Sequence, residues 1–94
     1  MKLHEYAPNL LAFFCPGCGY DHAVTVNGRM EPYNATWGWN GSMEQPTFTP
    51  SLLVNAHYPE TRCHSFVKDG KIQYLSDCYH KLKGQTVEIP EWED

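Results

Sequence analysis

Cys15 and Cys18, with Pro16 and Gly17 between them and Gly19 after, form a zinc-knuckle signature. Two thiolates at this spacing reach one ion only where the backbone turns sharply. The glycines permit that turn, and backbone N–H groups can then donate to the sulfurs. A structural zinc takes four ligands. Cys63 and Cys78 bracket a later hairpin signal, one before the first arm and one after the second. Antiparallel pairing of the arms brings them together, which gives Cys15, Cys18, Cys63 and Cys78 as one structural Zn2+ site. His64 and His80 sit beside the second pair and could replace a cysteine; His22, four residues after Cys18, is a weaker replacement. Four buried free thiols, or a disulfide, are the plain alternatives. A reducing compartment and a small core both argue for metal.

Outside the ligands, Ser51, His64, Ser65, Asp77 and His80 carry the reactive side chains. A hydroxyl attacks a carbonyl at neutral pH only with a base beside it, and the base needs an orienting partner. Ser51 follows Pro50, which stiffens its backbone. His64 adjoins Cys63, so a bound metal would fix its position, and Asp77 beside Cys78 could orient a histidine. The blander readings are a turn serine, a surface histidine and a helix-capping aspartate. Trp37 and Trp39 share one face of a short strand. That is core or sheet face first, and with Phe48 a recognition groove second.

These groups need elements to hold them. Leu10 to Phe14 reads as a strand entering the knuckle turn, and Ala23 to Val26 as a second strand. Asn27-Gly28 signals a two-residue hairpin with Arg29 to Tyr33 as its return strand. Thr47 to Val54 reads as a strand broken by Pro50, hence an edge or a bulge. Cys63 to Val67 and Lys71 to Leu75 flank the turn Lys68-Asp69-Gly70. Ser76-Asp77 looks like a helix N-cap and Gly84 a stop, so one or two helical turns are expected over Cys78 to Lys83. Thr86 to Ile89 is a last short strand. The expected fold is mostly β, a small α+β domain: a compact antiparallel sheet or half-barrel with hairpins and one short helix, stapled by zinc, over residues 1–94.

At 94 residues the core is marginal without a staple, although 41% hydrophobic and 14% aromatic residues are too many for a disordered chain. A net charge of −4, with an acidic stretch from Glu88 to Asp94 and no basic stripe, argues against nucleic acid and permits a protein partner. No run of transmembrane length and no signal peptide is visible, so a cytoplasmic location without membrane attachment is expected.

Phe13 to Gly19, Trp37 to Asn40, Pro46 to Leu53, Arg62 to Phe66, Gly70 to Gln73, Leu75 to His80 and Gly84 to Val87 together resemble a phage and prophage family, domain-of-unknown-function family 6527. Phage members carry the legacy label "ammonia monooxygenase", which no transmembrane span or copper-type histidine cluster supports here. Bacterial relatives are encoded beside ubiquitin-like proteins and their E1- and E2-like enzymes in operons tied to phage defence. The resemblance implies a serine-type peptidase or deconjugase that processes or removes a ubiquitin-like protein, encoded by a phage against host defence. Ser51 and His64 are the matching positions for nucleophile and base, with His80 as the other histidine. The competing reading is a non-catalytic zinc-binding module that docks a phage or host protein.

Overall fold

A computed structural model describes residues 1–93. Among these residues eight strands form two sheets: β1 (His4–Ala7), β2 (Leu10–Cys15) and β3 (Tyr20–Thr25) in one; β4 (Gly38–Trp39), β5 (Phe48–Val54), β6 (Cys63–Lys68), β7 (Lys71–Tyr74) and β8 (Thr86–Glu88) in the other. Each follows chain order, and every strand pairing is antiparallel. The sheets share one core. Leu11, Phe13, Cys15 and Val24 from the first meet Phe48, Leu52, Val67, Ile72 and Tyr74 from the second. Each fully buried aromatic or branched side chain contributes about 1.5–3 kcal/mol. A parallel bridge between Val26 and Trp37 joins the end of β3 to the approach to β4.

The hairpin at Asp69-Gly70 forms as its sequence dictates. Asp69 (φ 50°) and Gly70 (φ 79°) are both left-handed, the conformation a two-residue turn needs, and Lys68 pairs with Lys71. Along β6 and β7 buried residues alternate with more open ones, so Cys63 faces inward and His64 the other way.

Asn27-Gly28 also turns, with Arg29 N–H donating to the Val26 carbonyl at 3.1 Å, but Arg29 to Tyr33 is not a return strand. Arg29 folds its guanidinium onto the carbonyls of Glu31 and Pro8, both at 2.8 Å, and Pro32 has no N–H to offer a ladder. The neighbour that Val26 finds is Trp37, in parallel.

The expected helix over Cys78 to Lys83 is likewise absent, and no helix occurs among the described residues. The segment's backbone groups are satisfied elsewhere: Tyr79 N–H on the Arg62 carbonyl at 2.9 Å and Gly84 N–H on the Tyr74 carbonyl at 3.0 Å. Cys78 and His80 both turn inward. Residues two apart lie on roughly opposite sides of a helix, so a surface helix packed on one face would not bury both. The fold is therefore all β rather than α+β.

Pro50 leaves the mark its residue type requires. Between Phe48 and Leu52 β5 spans four steps while its partner β6 spans two, from Val67 to Ser65. Thr49, Pro50 and Ser51 thus face a single residue and bulge out of the ladder. Bulges re-aim side chains, and many lie next to active sites.

Candidate active site and metal-ligand cluster

The bulge presents Ser51 to β6. There the outward-facing His64 places Nε2 3.0 Å from Ser51 Oγ, while its Nδ1 lies 3.2 Å from Asp77 Oδ2. The three residues come from β5, β6 and the turn after β7. A hydroxyl, an imidazole and a carboxylate in series is the arrangement that lets the ring nitrogen nearer the serine take its proton, with the carboxylate fixing the tautomer. His64 is about three-quarters covered and Asp77 is 41% exposed, so the base is held while the relay stays open to solvent.

Cys78 holds the same histidine from behind. Its Sγ accepts from His64 N–H at 3.2 Å and lies 3.0 Å from the His64 carbonyl, to which the thiol donates. Trp37 holds the nucleophile, its indole N–H donating to the Ser51 carbonyl at 3.2 Å. The sequence shows Trp37 only as an aromatic beside Trp39. Its link to Ser51 depends on the parallel bridge at Val26, and no local spacing signals that.

Behind this relay lies the thiol cluster. The knuckle closes with Gly19 N–H on the Cys15 carbonyl at 2.8 Å. A Cβ on Gly17 would run into the His80 ring, so only glycine fits there. The ligand-type atoms of Cys15, Cys18, His22 and Cys63 all lie within 4.8 Å of one another, as do those of Cys63, Cys78 and His80. The second hairpin does bring Cys63 and Cys78 together. Cys78, however, stands with His80 in the second group, and His22 stands with Cys15 and Cys18 in the first.

His22 fits a metal ligand for a separate reason. It is 95% buried, and its Nε2 has no hydrogen-bond partner among the described residues. An imidazole nitrogen in so dry a place costs free energy unless something meets it. A cation among three sulfurs meets that requirement, so the donor set suits zinc. His80, by contrast, has partners for both nitrogens: Nδ1 accepts from Leu82 N–H at 3.3 Å and Nε2 lies 3.5 Å from Cys63 Sγ.

The thiols also share charge as a ligand set should. Hydrogen bonding from Cys63, helped by His22 and Tyr74 and opposed by burial, holds the Cys15 thiol down at about 3. The same hydrogen bond, with burial, pushes Cys63 up. Burial first, then the Cys15 charge, raises Cys18. Tyr79, hydrogen-bonded to Cys18, is pushed up to about 12. One thiolate is already favoured, and a dication would displace the protons held by the others.

Among the described residues no helix is long and apolar enough to cross a membrane. The family model described as bacterial ubiquitination-like system serine protease (BubE) matches residues 2–75. No curated protein and no solved structure matches the chain.

Proposed function

Because the chain belongs to the bacterial ubiquitination-like system serine protease family, we propose that it is a serine-type peptidase or isopeptidase acting on the tail of a ubiquitin-like protein. The observation that carries this reading is the relay Ser51–His64–Asp77, closed at 3.0 and 3.2 Å.

His64 Nε2 takes the Ser51 proton as Oγ bonds to the scissile carbonyl carbon. Nδ1–H donates to Asp77, which stabilises the imidazolium that forms. Collapse of the tetrahedral adduct breaks the C–N bond, and His64 gives its proton to the leaving amine. Water, deprotonated by the same nitrogen, then releases the acyl group and restores the serine. A peptide bond and a lysine isopeptide bond are both amides, so one relay serves precursor processing and modifier removal.

Zinc in this reading is structural. Cys15, Cys18, His22 and Cys63 would hold it with a closed shell, tying the β2–β3 turn and β3 to the start of β6. Cys78, the fourth ligand expected from the sequence, stands in the second group and contacts the His64 backbone, so in this reading it lies outside the shell. The metal would supply rigidity one residue from the base.

The test is cleavage of a ubiquitin-like protein fused through its C-terminus to a reporter. Ser51→Ala and His64→Ala are each expected to abolish cleavage while zinc content and melting stay at parent values. Cleavage at the parent rate by either variant would remove the relay from the mechanism. Loss of zinc in His64→Ala would make His64 a ligand and the metal a candidate catalyst.

A further inference from the structure

The geometry points to a seat for the substrate: a cleft between the free edges of β3 and β5 that takes about four residues of an extended polypeptide tail as an added strand. This rests on Ser51 as the nucleophile proposed above. The cavity has a volume of about 440 Å³, and consecutive residues line it from both strands: Tyr20 to Ala23 on β3, the buried His22 among them, and Leu52 to Val54 on β5. A cleft over a sheet face would be lined by every second residue. Consecutive lining means that it runs along strand edges, where backbone N–H and C=O groups face the space.

Those edges lack strand partners among the described residues. β3 pairs with β2 alone, and β4 covers β5 only at Phe48 and Thr49. β3 and β5 run in opposite directions across the cleft. Tyr20 faces Asn55 at one end, and at the other Trp37 joins the two strands, its backbone N–H on the Thr25 carbonyl and its indole on the Ser51 carbonyl. An inserted strand would be antiparallel to one wall and parallel to the other, both of which form ladders.

Ser51 lies just beyond the lining at the Trp37 end, where its carbonyl accepts from the indole, so a tail lying from Asn55 towards Ser51 would bring its last carbonyl up to the nucleophile. That path covers about four residues at roughly 3.3 Å each. Leu53, 48% exposed, and Tyr20, 45% exposed, would be covered by such a strand. Main-chain pairing supplies affinity in recognition of this kind, and side-chain pockets supply choice. Asp21 is the carboxylate of the lining, reached by the Tyr6 hydroxyl only at 3.4 Å. It lies at the end away from Ser51. The occupant is therefore an unstructured tail with a basic side chain three or four residues before the scissile bond and small residues where it passes Trp37.

Two coumarin amides test this, acetyl-Arg-Leu-Gly-Gly and acetyl-Glu-Leu-Gly-Gly, with the zinc-loaded full chain. The parent should prefer the Arg peptide in kcat/KM, and Asp21→Arg should reverse the ratio by tenfold or more. Separately, amide hydrogen exchange is followed in Ser51→Ala with the Arg peptide amide at millimolar concentration. Slowing of tenfold or more at residues 20–23 and 52–54 is expected. Ser51-dependent cleavage with an unchanged ratio and no slowing in the cleft would overturn the seat and leave the peptidase standing. Slowing in the cleft without cleavage by the parent would uphold the seat and overturn the peptidase. Absence of both cleavage and slowing would also overturn the seat.

Discussion

The thiol cluster and the serine relay meet twice along the chain, at Cys63–His64 and at Asp77–Cys78, and at both places neighbours face opposite ways. Cys63 and Cys78 are buried while His64 is partly covered and Asp77 exposed. In β6 the cause is strand alternation, which sends successive side chains to opposite faces. In the proposed reading one face then serves stability and the other chemistry, over the same few residues of backbone. A side chain can be removed from the relay without touching the core, whereas a ligand cannot be removed without disturbing the relay.

The largest expected effect breaks the buried side. Structural zinc is worth about 10–16 kcal/mol in small metal-dependent peptides, against total domain stabilities of about 5–15 kcal/mol. Cys15→Ser, or chelation, should therefore remove zinc, cooperative melting and cleavage together. A metal-free sample that melts cooperatively would refute the dependence. His22→Ala is expected to lose most of the zinc, while Cys78→Ser retains it, as metal analysis after gel filtration would show. The reverse outcome would restore the four-cysteine shell.

Breaking the exposed side should silence the protein without unfolding it. Ser51→Ala is expected to lower kcat by about 10³-fold or more, with stability within about 0.5 kcal/mol of the parent. Asp77→Asn should be milder, since loss of the orienting carboxylate can cost roughly a hundredfold less than loss of the nucleophile. Equal losses would mean that Asp77 does more than orient the ring.

Cys78 sharpens the comparison because it belongs to both sides. Cys78→Ser keeps a group that can accept from His64 N–H and should stay near parent activity, while Cys78→Ala should lower kcat with zinc retained. The smallest effect lies far from both regions. A hydrogen bond from Lys2 at 2.9 Å, and then its charge, holds the Glu88 carboxyl below its ordinary value. A lowered folded value adds stability above the unfolded value and loses it as pH falls through the folded one. Glu88→Gln should therefore melt slightly earlier at neutral pH and level with the parent in acid below the usual carboxylate range.

Much of the fold and of the site is legible in the residues. Cys15-x-x-Cys18 and the hairpin at Asp69-Gly70 are local signals with one good solution each, and both appear where the sequence places them. The break at Pro50 is readable as an edge or bulge because proline cannot join a ladder. Asn27-Gly28 misleads because a turn dipeptide specifies the turn and not the conformation of the next segment; Arg29 and Pro32 decide that. The helix over Cys78 to Lys83 fails because its capping residue, Asp77, is used by His64 and its interior residues are needed in the core. His22 looks like a weak ligand in the sequence for a related reason: a lone histidine says nothing of its surroundings, and its dry nitrogen, without a partner among the described residues, shows only in the fold.

The bulge at Thr49 to Ser51 has a consequence for how molecules of this protein behave in a crowd. Open strand edges invite copies to stack edge to edge, the first step towards aggregates. Here the free length of β5 is cut short by a proline and by a kink with no matching residue on the neighbouring strand. A long, flat strand from another folded copy would find only a few residues in register before the ladder fails. A short flexible tail needs no more than that. The irregularity that aims the serine thus also keeps the edge from becoming a template for self-association.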